Sequence, residues 1–458
     1  MSISRPIMAK SKVRIVFLCS SCGNEFAKWH GQCPSCSEWG TLSEYKVNTK
    51  SRTRSNGRPR STTKMVDLLK KGKINRNNTG IPEVDRVLGG GILPGSMILL
   101  GGSPGVGKST LALQIIPGLN SKVLYVSAEE SEDQLALRAK RLGINSNLIH
   151  LSTENNAQVI LDQVALLKPK LLILDSIQTI YSNNIDSIPG SPGQIRECGQ
   201  QFLTMSKQNS VSVIVIGHVT KEGIIAGPKM LEHMVDTVLY LEGDPRFDHR
   251  VLRSEKNRFG TTNEVGIFQM SKQGLEEVSN PSELFLAERT KEVPGSAVFP
   301  ALEGTRPILV EVQALVSNAN FGTPQRNANG IDYKRLSMFL AVLEKRLGMV
   351  MGTKDVFVNL VGGLRISDPS ADLAVITALA SSAKDIIIPQ DTVLVGEVGL
   401  VGEVRSVAKL DKRVAETEAL GFKQIIVPQS NLKRFKKSNT KIKVLGVSSV
   451  KEVFSNLF

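Results

Sequence analysis

From Thr79 to about Met270, short apolar runs of strand length alternate with longer stretches of helical period. Met97–Leu100, Lys122–Ser127, Leu171–Asp175 and Val211–Ile216 read as strands. Leu171–Leu174 is apolar throughout, as expected of a strand covered on both faces. Thr110–Gln114, Ser131–Leu142 with Ser131 as N-cap, Ala157–Leu167 and Gly193–Gln208 read as helices. Strands alternating with helices imply an α/β domain with a mostly parallel sheet. The pattern changes near residue 290. Val310–Val316, Val356–Val361 and Thr392–Gly396 are strand-like, and Asp332–Leu347, Ala371–Ser381 and Lys409–Leu420 have helical period. A second α/β domain is expected there, with Phe321–Gly330 as a loop rich in Pro, Asn and Gly. There is no internal repeat.

The junction between the first strand and its helix carries the clearest chemistry. Gly102, Ser103, Pro104, Gly105, Val106, Gly107, Lys108, Ser109 and Thr110 fit the phosphate-cradling pattern G-x-x-x-x-G-K-[ST]. Glycines let backbone N–H groups approach a triphosphate, and the following helix N-terminus adds a favourable dipole. Lys108 is placed to reach the β and γ phosphates of ATP, and the Ser109 hydroxyl to ligate Mg2+. Asp175, closing an apolar strand, is the expected acid of the Mg2+ site. Glu129 or Glu130, at the tip of the second strand, would orient the attacking water. His218 ends a later strand and could sense the γ-phosphate. Lys256, Asn257, Arg258, Phe259 and Gly260 form a cationic pentapeptide unlike a core strand; an exposed cation there could reach a neighbouring subunit's nucleotide or a DNA phosphate.

At 458 residues the chain needs two or three domains. No apolar run approaches the roughly 20 residues that span a bilayer, and Ile15–Leu18 is too short for a signal segment. A cytoplasmic protein with no membrane partner is expected. The net charge is +14. From Lys46 to Arg76 eleven Lys and Arg face one acid, Asp67, a balance of +10. This Ser-, Thr-, Asn- and Gly-rich stretch reads as a flexible basic linker suited to nucleic acid. Lys433, Arg434, Lys436 and Lys437 form a second basic cluster. Four of the five cysteines form two pairs, Cys19 with Cys22 and Cys33 with Cys36. Such pairs suit a closed four-thiolate Zn2+ site, structural rather than catalytic; disulfides or an iron–sulfur centre are the alternatives. Cys198 stands apart as a small apolar core residue.

The order of these pieces resembles the bacterial RadA (Sms) family of DNA-repair proteins along essentially the whole chain. The resemblance rests on a four-cysteine module, a phosphate loop, the pentapeptide Lys256–Gly260 and a C-terminal domain with the Pro369-Ser370-Ala371 sequence. It implies four regions: a zinc module over 1–45, the basic linker over 46–76, a RecA-like ATPase over 77–285 and a Lon-protease-like domain over 286–458. It implies a DNA-dependent ATPase, forming homohexameric rings on single-stranded and branched DNA, promoting branch migration alongside RecA, with a replicative helicase or other repair protein as a further partner. Glu129 then matches the catalytic glutamate, and Lys256 or Arg258 acts in trans. Ile185–Glu197 would be a DNA-facing loop, with Arg196 as its phosphate contact. Lon-type proteases use a Ser–Lys dyad. Ser370 stands at the nucleophile position, but Arg413 stands at the lysine's, with Lys409 and Lys412 out of register. A guanidinium does not deprotonate in proteins, and a Ser without a base is a poor nucleophile. The domain is therefore expected to be a non-proteolytic, ring-forming and DNA-binding scaffold. An ATP-dependent protease and a signalling ATPase without DNA are the rival readings.

Overall fold

The computed structural model describes residues 12–19, 24–35, 37–49, 64–70, 75–218, 231–243, 248–262, 264–287, 289–290, 292–319, 322–361, 368–433, 435 and 440–458. Cys22, Cys36, most of the basic linker, Arg434, Lys436 and Lys437 lie outside the described residues. The chain divides into two compact units, 1–277 and 278–458, so residues 278–285 fall in the second unit.

In the first unit, β1 (Lys12–Cys19), β2 (Glu25–Phe26) and β3 (Leu42–Thr49) form a small antiparallel sheet in the order β2-β1-β3. Among the residues whose burial is described, Val16, Cys19, Cys33 and Leu42 are buried, and the two cysteines share one cluster with Leu42, Phe17 and Phe26. Within the segment read as a flexible linker, Met65–Lys70 forms a short helix.

Among the described residues, nine strands then form one sheet. They are β4 (Met97–Gly102), β5 (Val123–Ser127), β6 (Ile149–Ser152), β7 (Leu171–Asp175), β8 (Ser212–His218), β9 (Thr237–Glu242), β10 (His249–Asn257), β11 (Val265–Ser271) and β12 (Gly274–Glu277). Their order is β12-β11-β10-β9-β4-β8-β7-β5-β6. The six strands from β9 to β6 are parallel neighbours, and β10 to β12 extend the sheet antiparallel. Side chains alternate across a strand with a period of two. Ile98, Leu100, Tyr125, Ile173 and Ile214 accordingly enter one core, and Met97, Leu99, Leu124, Leu172 and Val213 enter the other. The helix Lys108–Gln114 buries Leu111 and Leu113 in the first of these cores. That puts the phosphate loop, Tyr125 and the end of β7 on one face of the sheet.

Local signals set the helix starts. The helix Glu132–Arg141 opens with Ser131 and Gln134 in a reciprocal capping box. Pro192 starts the helix Pro192–Asn209, capped by Ser191. The helix expected over Gly193–Gln208 is present, and the DNA-facing loop expected over Ile185–Glu197 therefore ends at Ser191, because Ser-Pro starts the helix there. Arg196 stands exposed on that helix.

The second unit is built on β13 (Ser296–Glu303), β14 (Arg306–Asn318), β15 (Arg326–Asn329), β16 (Lys354–Leu360), β17 (Thr392–Leu394), β20 (Gln424–Pro428) and β21 (Lys443–Val447), in the order β15-β16-β14-β13-β17-β20-β21. A small ribbon of β18 (Glu397–Val398) and β19 (Val404–Arg405) stands apart. Phe321–Gly330, expected to be a loop, contains β15, which pairs in parallel with β16. Arg-Asn-Ala-Asn has no β-branched or aromatic residue; an adjacent edge makes it a strand, not its own propensity. Among the described residues no helix is long and apolar enough to cross a membrane.

Candidate nucleotide site and neighbouring clusters

The phosphate loop turns on Gly105 and Gly107, with φ of +75° and +115°. Both lie in the left-handed region that only glycine enters freely. Gly107 caps the helix Lys108–Gln114. Lys108 is buried, and its Nζ donates to the Gly102 and Ser103 carbonyls at 2.9 Å each. Burial pushes its pKa down to about 8, against the opposing pull of Asp175 and Glu129. Both carboxylates therefore bear on the loop lysine.

Asp175 is buried at the end of β7, in register with Ser127 of β5. The Tyr125 hydroxyl donates to Asp175 Oδ2 at 2.6 Å. Burial, then the Asp175 charge, hold the Tyr125 phenol well above its usual range, so it remains a donor. The next residue, Ser176, donates to Glu129 Oε1 at 2.5 Å. The last residue of β7 and the one after it thus each engage β5 or its tip. Glu130 turns the other way and pairs with Arg138. Glu129 and Glu130 also line an open cleft with Ser131 and Thr153. His218 pairs in register with Gly102, which puts its backbone beside the loop; its side chain lies outside the described residues. The sequence reading missed Tyr125, Ser176 and Arg250. Arg250 Nε donates to the Val106 carbonyl of the loop at 3.2 Å. Each contact depends on strand register, which leaves no local signal.

The set fits a nucleoside triphosphate with a divalent cation. It combines an ammonium inside a glycine loop, a hydroxyl at a helix start and two carboxylates at the ends of neighbouring strands. The zinc module can be tested only in part. The Cys19 N–H donates to Asn24 O at 3.0 Å and the Cys33 N–H to Glu38 O at 2.9 Å. Cys19 and Cys33 thus each bond a residue five positions on, and the two share one buried cluster. This suits thiolates converging on Zn2+.

The pentapeptide is less open than its composition suggests. Lys256 and Asn257 close β10, and only Arg258–Gly260 form the turn. Lys256 Nζ donates to the carbonyls of Glu232, His233 and Val235 at 2.6, 3.3 and 2.9 Å. The expected exposed cation is thus tied to its own chain, because strand pairing aims it at a run of carbonyls. Asn257 donates to Leu88 O and accepts from the Phe259 N–H. Buried Asp236 accepts from Lys207 and the Met97 N–H, and faces Arg258 Nη1 at 3.6 Å. Arg258 keeps a side chain 53% exposed. Arg76 reaches the Phe259, Leu88 and Gly91 carbonyls.

In the second unit, Ser370 and Arg413 are each 1% exposed. Arg413 Nη1 donates to Ser370 Oγ at 2.8 Å, and Nη2 to Asp368 Oδ2 at 2.7 Å. Lys409 and Lys412 donate elsewhere, to the Gly304 and Thr305 carbonyls. The cation nearest the Ser370 hydroxyl is therefore a guanidinium.

The chain matches the AAA domain family over residues 67–223, a rubredoxin metal binding domain over residues 17–44, and the Lon protease (S16) C-terminal proteolytic domain over residues 349–458. An AAA ATPase domain implies ATP with Mg2+, and the metal binding domain implies Zn2+. The chain is 45% identical over 452 residues to the DNA repair protein RadA of Halalkalibacterium halodurans, covering 97% of this chain and 98% of that one. It is 45% identical over 453 residues to the DNA repair protein RadA of Bacillus subtilis, with the same coverage of 97% and 98%. A crystal structure of the RadB recombinase is 25% identical and covers 44% of this chain and 100% of that one, at a TM-score of 0.37.

Proposed function

This chain belongs to the family of the DNA repair protein RadA, and on that premise we propose that it is a DNA-dependent ATPase motor that processes recombination intermediates. Its work would be branch migration on single-stranded and branched DNA alongside RecA, as a homohexamer. One observation supports the reading most: Lys108, Asp175 and the Ser176–Glu129 pair gather at one edge of one sheet. Lys108 is the ammonium that would face the terminal phosphates. Ser109 and Asp175 would hold Mg2+, which neutralises phosphate charge when bound. Glu129, held by Ser176, would orient the attacking water, while Glu130 serves its own helix through Arg138. Of the two pentapeptide cations, Arg258 is the one open enough to reach a neighbouring subunit's phosphate or DNA. A +10 segment before the ATPase favours nucleic acid over a signalling role.

The second unit acts as a scaffold rather than a peptidase. Arg413 donates to the Ser370 hydroxyl and cannot accept its proton. Casein should remain intact with ATP present, and degradation that vanished in Ser370→Ala would restore the protease reading.

The test is steady-state ATP hydrolysis with and without single-stranded DNA at low and moderate salt. Stimulation that fades with salt supports the motor and leads to branch-migration assays on four-way junctions with RecA. Hydrolysis indifferent to DNA at both salts would overturn it.

A further inference from the structure

We infer that Trp29 and Trp39 of the N-terminal module form a stacking platform for the bases of single-stranded DNA. The inference rests on the DNA reading above and names one surface that meets the strand. These are the only two tryptophans of the chain. Tryptophan is usually well covered, yet Trp29 is 60% exposed and Trp39 is 73% exposed. They are also neighbours. Trp39 bridges Gln32, and the Gly40 N–H donates to Gly31 O at 2.8 Å, which folds the two segments together. A Cβ placed on Gly31 would meet the Trp29 ring and the Trp39 ring at 3.7 Å each. Both indoles therefore converge over one glycine that leaves the space between them clear.

Two adjacent indoles this exposed are an interaction surface rather than surplus core. Charge selects the occupant. Exposed Lys28 precedes Trp29 and exposed Glu38 precedes Trp39, so the positive charge comes chiefly from the linker that follows, at +10 of a chain at +14. A polyanion with flat apolar faces matches both features. Indole faces take the bases and nearby cations take the phosphates. Every base has a π-face, so the platform is tolerant of sequence.

Because the tryptophans are only two, intrinsic emission reports on them directly. The full-length zinc-loaded protein is titrated with a thymidine oligomer and with an abasic oligomer of equal length and charge. Anisotropy of a labelled copy of each gives binding independently. The expected result is quenching by the thymidine oligomer and little by the abasic one. Trp29→Ala and Trp39→Ala should each weaken thymidine-oligomer binding by about tenfold, and Trp→Phe should recover most of that, with zinc content as the folding control. Binding by anisotropy with unchanged emission would overturn the platform and leave the motor reading standing. It would also point to a protein as the occupant of the two indoles. Absence of any oligomer binding would overturn both. The titration of the unsubstituted protein decides the matter even where a variant fails to fold.

Discussion

Arg413 donates through all three guanidinium nitrogens, to the carbonyls of Ala408 and Pro300, to Ser370 Oγ and to Asp368. Burial alone would raise the Asp368 pKa, but the Arg413 charge and hydrogen bonds outweigh it and hold the carboxyl below its ordinary 3.8. A depressed folded value contributes stability that is present above about pH 4 and lost as pH falls through it. Arg413→Met leaves Asp368 half-buried without that partner and should cost the second unit about 3–5 kcal/mol in urea unfolding. The same variant should lose most of the stability change below pH 4, which a pH series of unfolding midpoints reads. At the nucleotide site, Lys108→Ala should lower turnover by roughly a hundredfold or more and weaken nucleotide binding. Ser176→Ala should behave differently. It removes the hydrogen bond from Ser176 that orients Glu129, so kcat should fall about tenfold or more while equilibrium affinity for a non-hydrolysable ATP analogue, read by calorimetry, stays within about twofold. A matching loss of affinity would place Ser176 in ground-state binding instead.

Gln194 shows how one residue organises an element. From the first turn of its helix its side chain accepts from the Ser182 N–H and donates to the carbonyls of Ser182, Ile185 and Ser187. These contacts hold the loop that leads from the end of β7 region into the helix. Gln194→Ala should speed amide hydrogen exchange across residues 182–190 by about tenfold or more; unchanged exchange would show that the loop holds itself. In the first unit β4, β5, β7 and β8 and the helices between them follow from apolar period, and the Ser131 start follows from its cap chemistry. β1–β3, β6 and β9–β12 are not read from the sequence and form by pairing with neighbouring strands. β15 carries no strand signal of its own and forms on the edge of β16. The helix read as Gly193–Gln208 is Pro192–Asn209, and its Ser191 cap ends the loop six residues before Glu197.

At the scale of the whole molecule, core size varies along the chain. Each face of the nine-stranded sheet is packed by an extended cluster, whereas the three-stranded module has a handful of buried residues among those described. A module that small usually needs its metal to fold. Chelation of zinc should abolish amide protection in β1 and β3 and leave that of β4, β7 and β8 unchanged; hydrogen exchange with and without chelator measures it. The sequence alone determined the α/β pattern, the phosphate loop and the paired cysteine spacing, because each depends on residues within a few positions of one another. Tertiary structure decided the rest. Glu129 meets Ser176 while Glu130 meets Arg138, Lys256 is tied to the carbonyls of 232–235, and Arg413 lies against Ser370 across 43 positions. Except for the local Glu130–Arg138 pair, those partners are distant in the chain, and only strand register and side-chain direction bring them together.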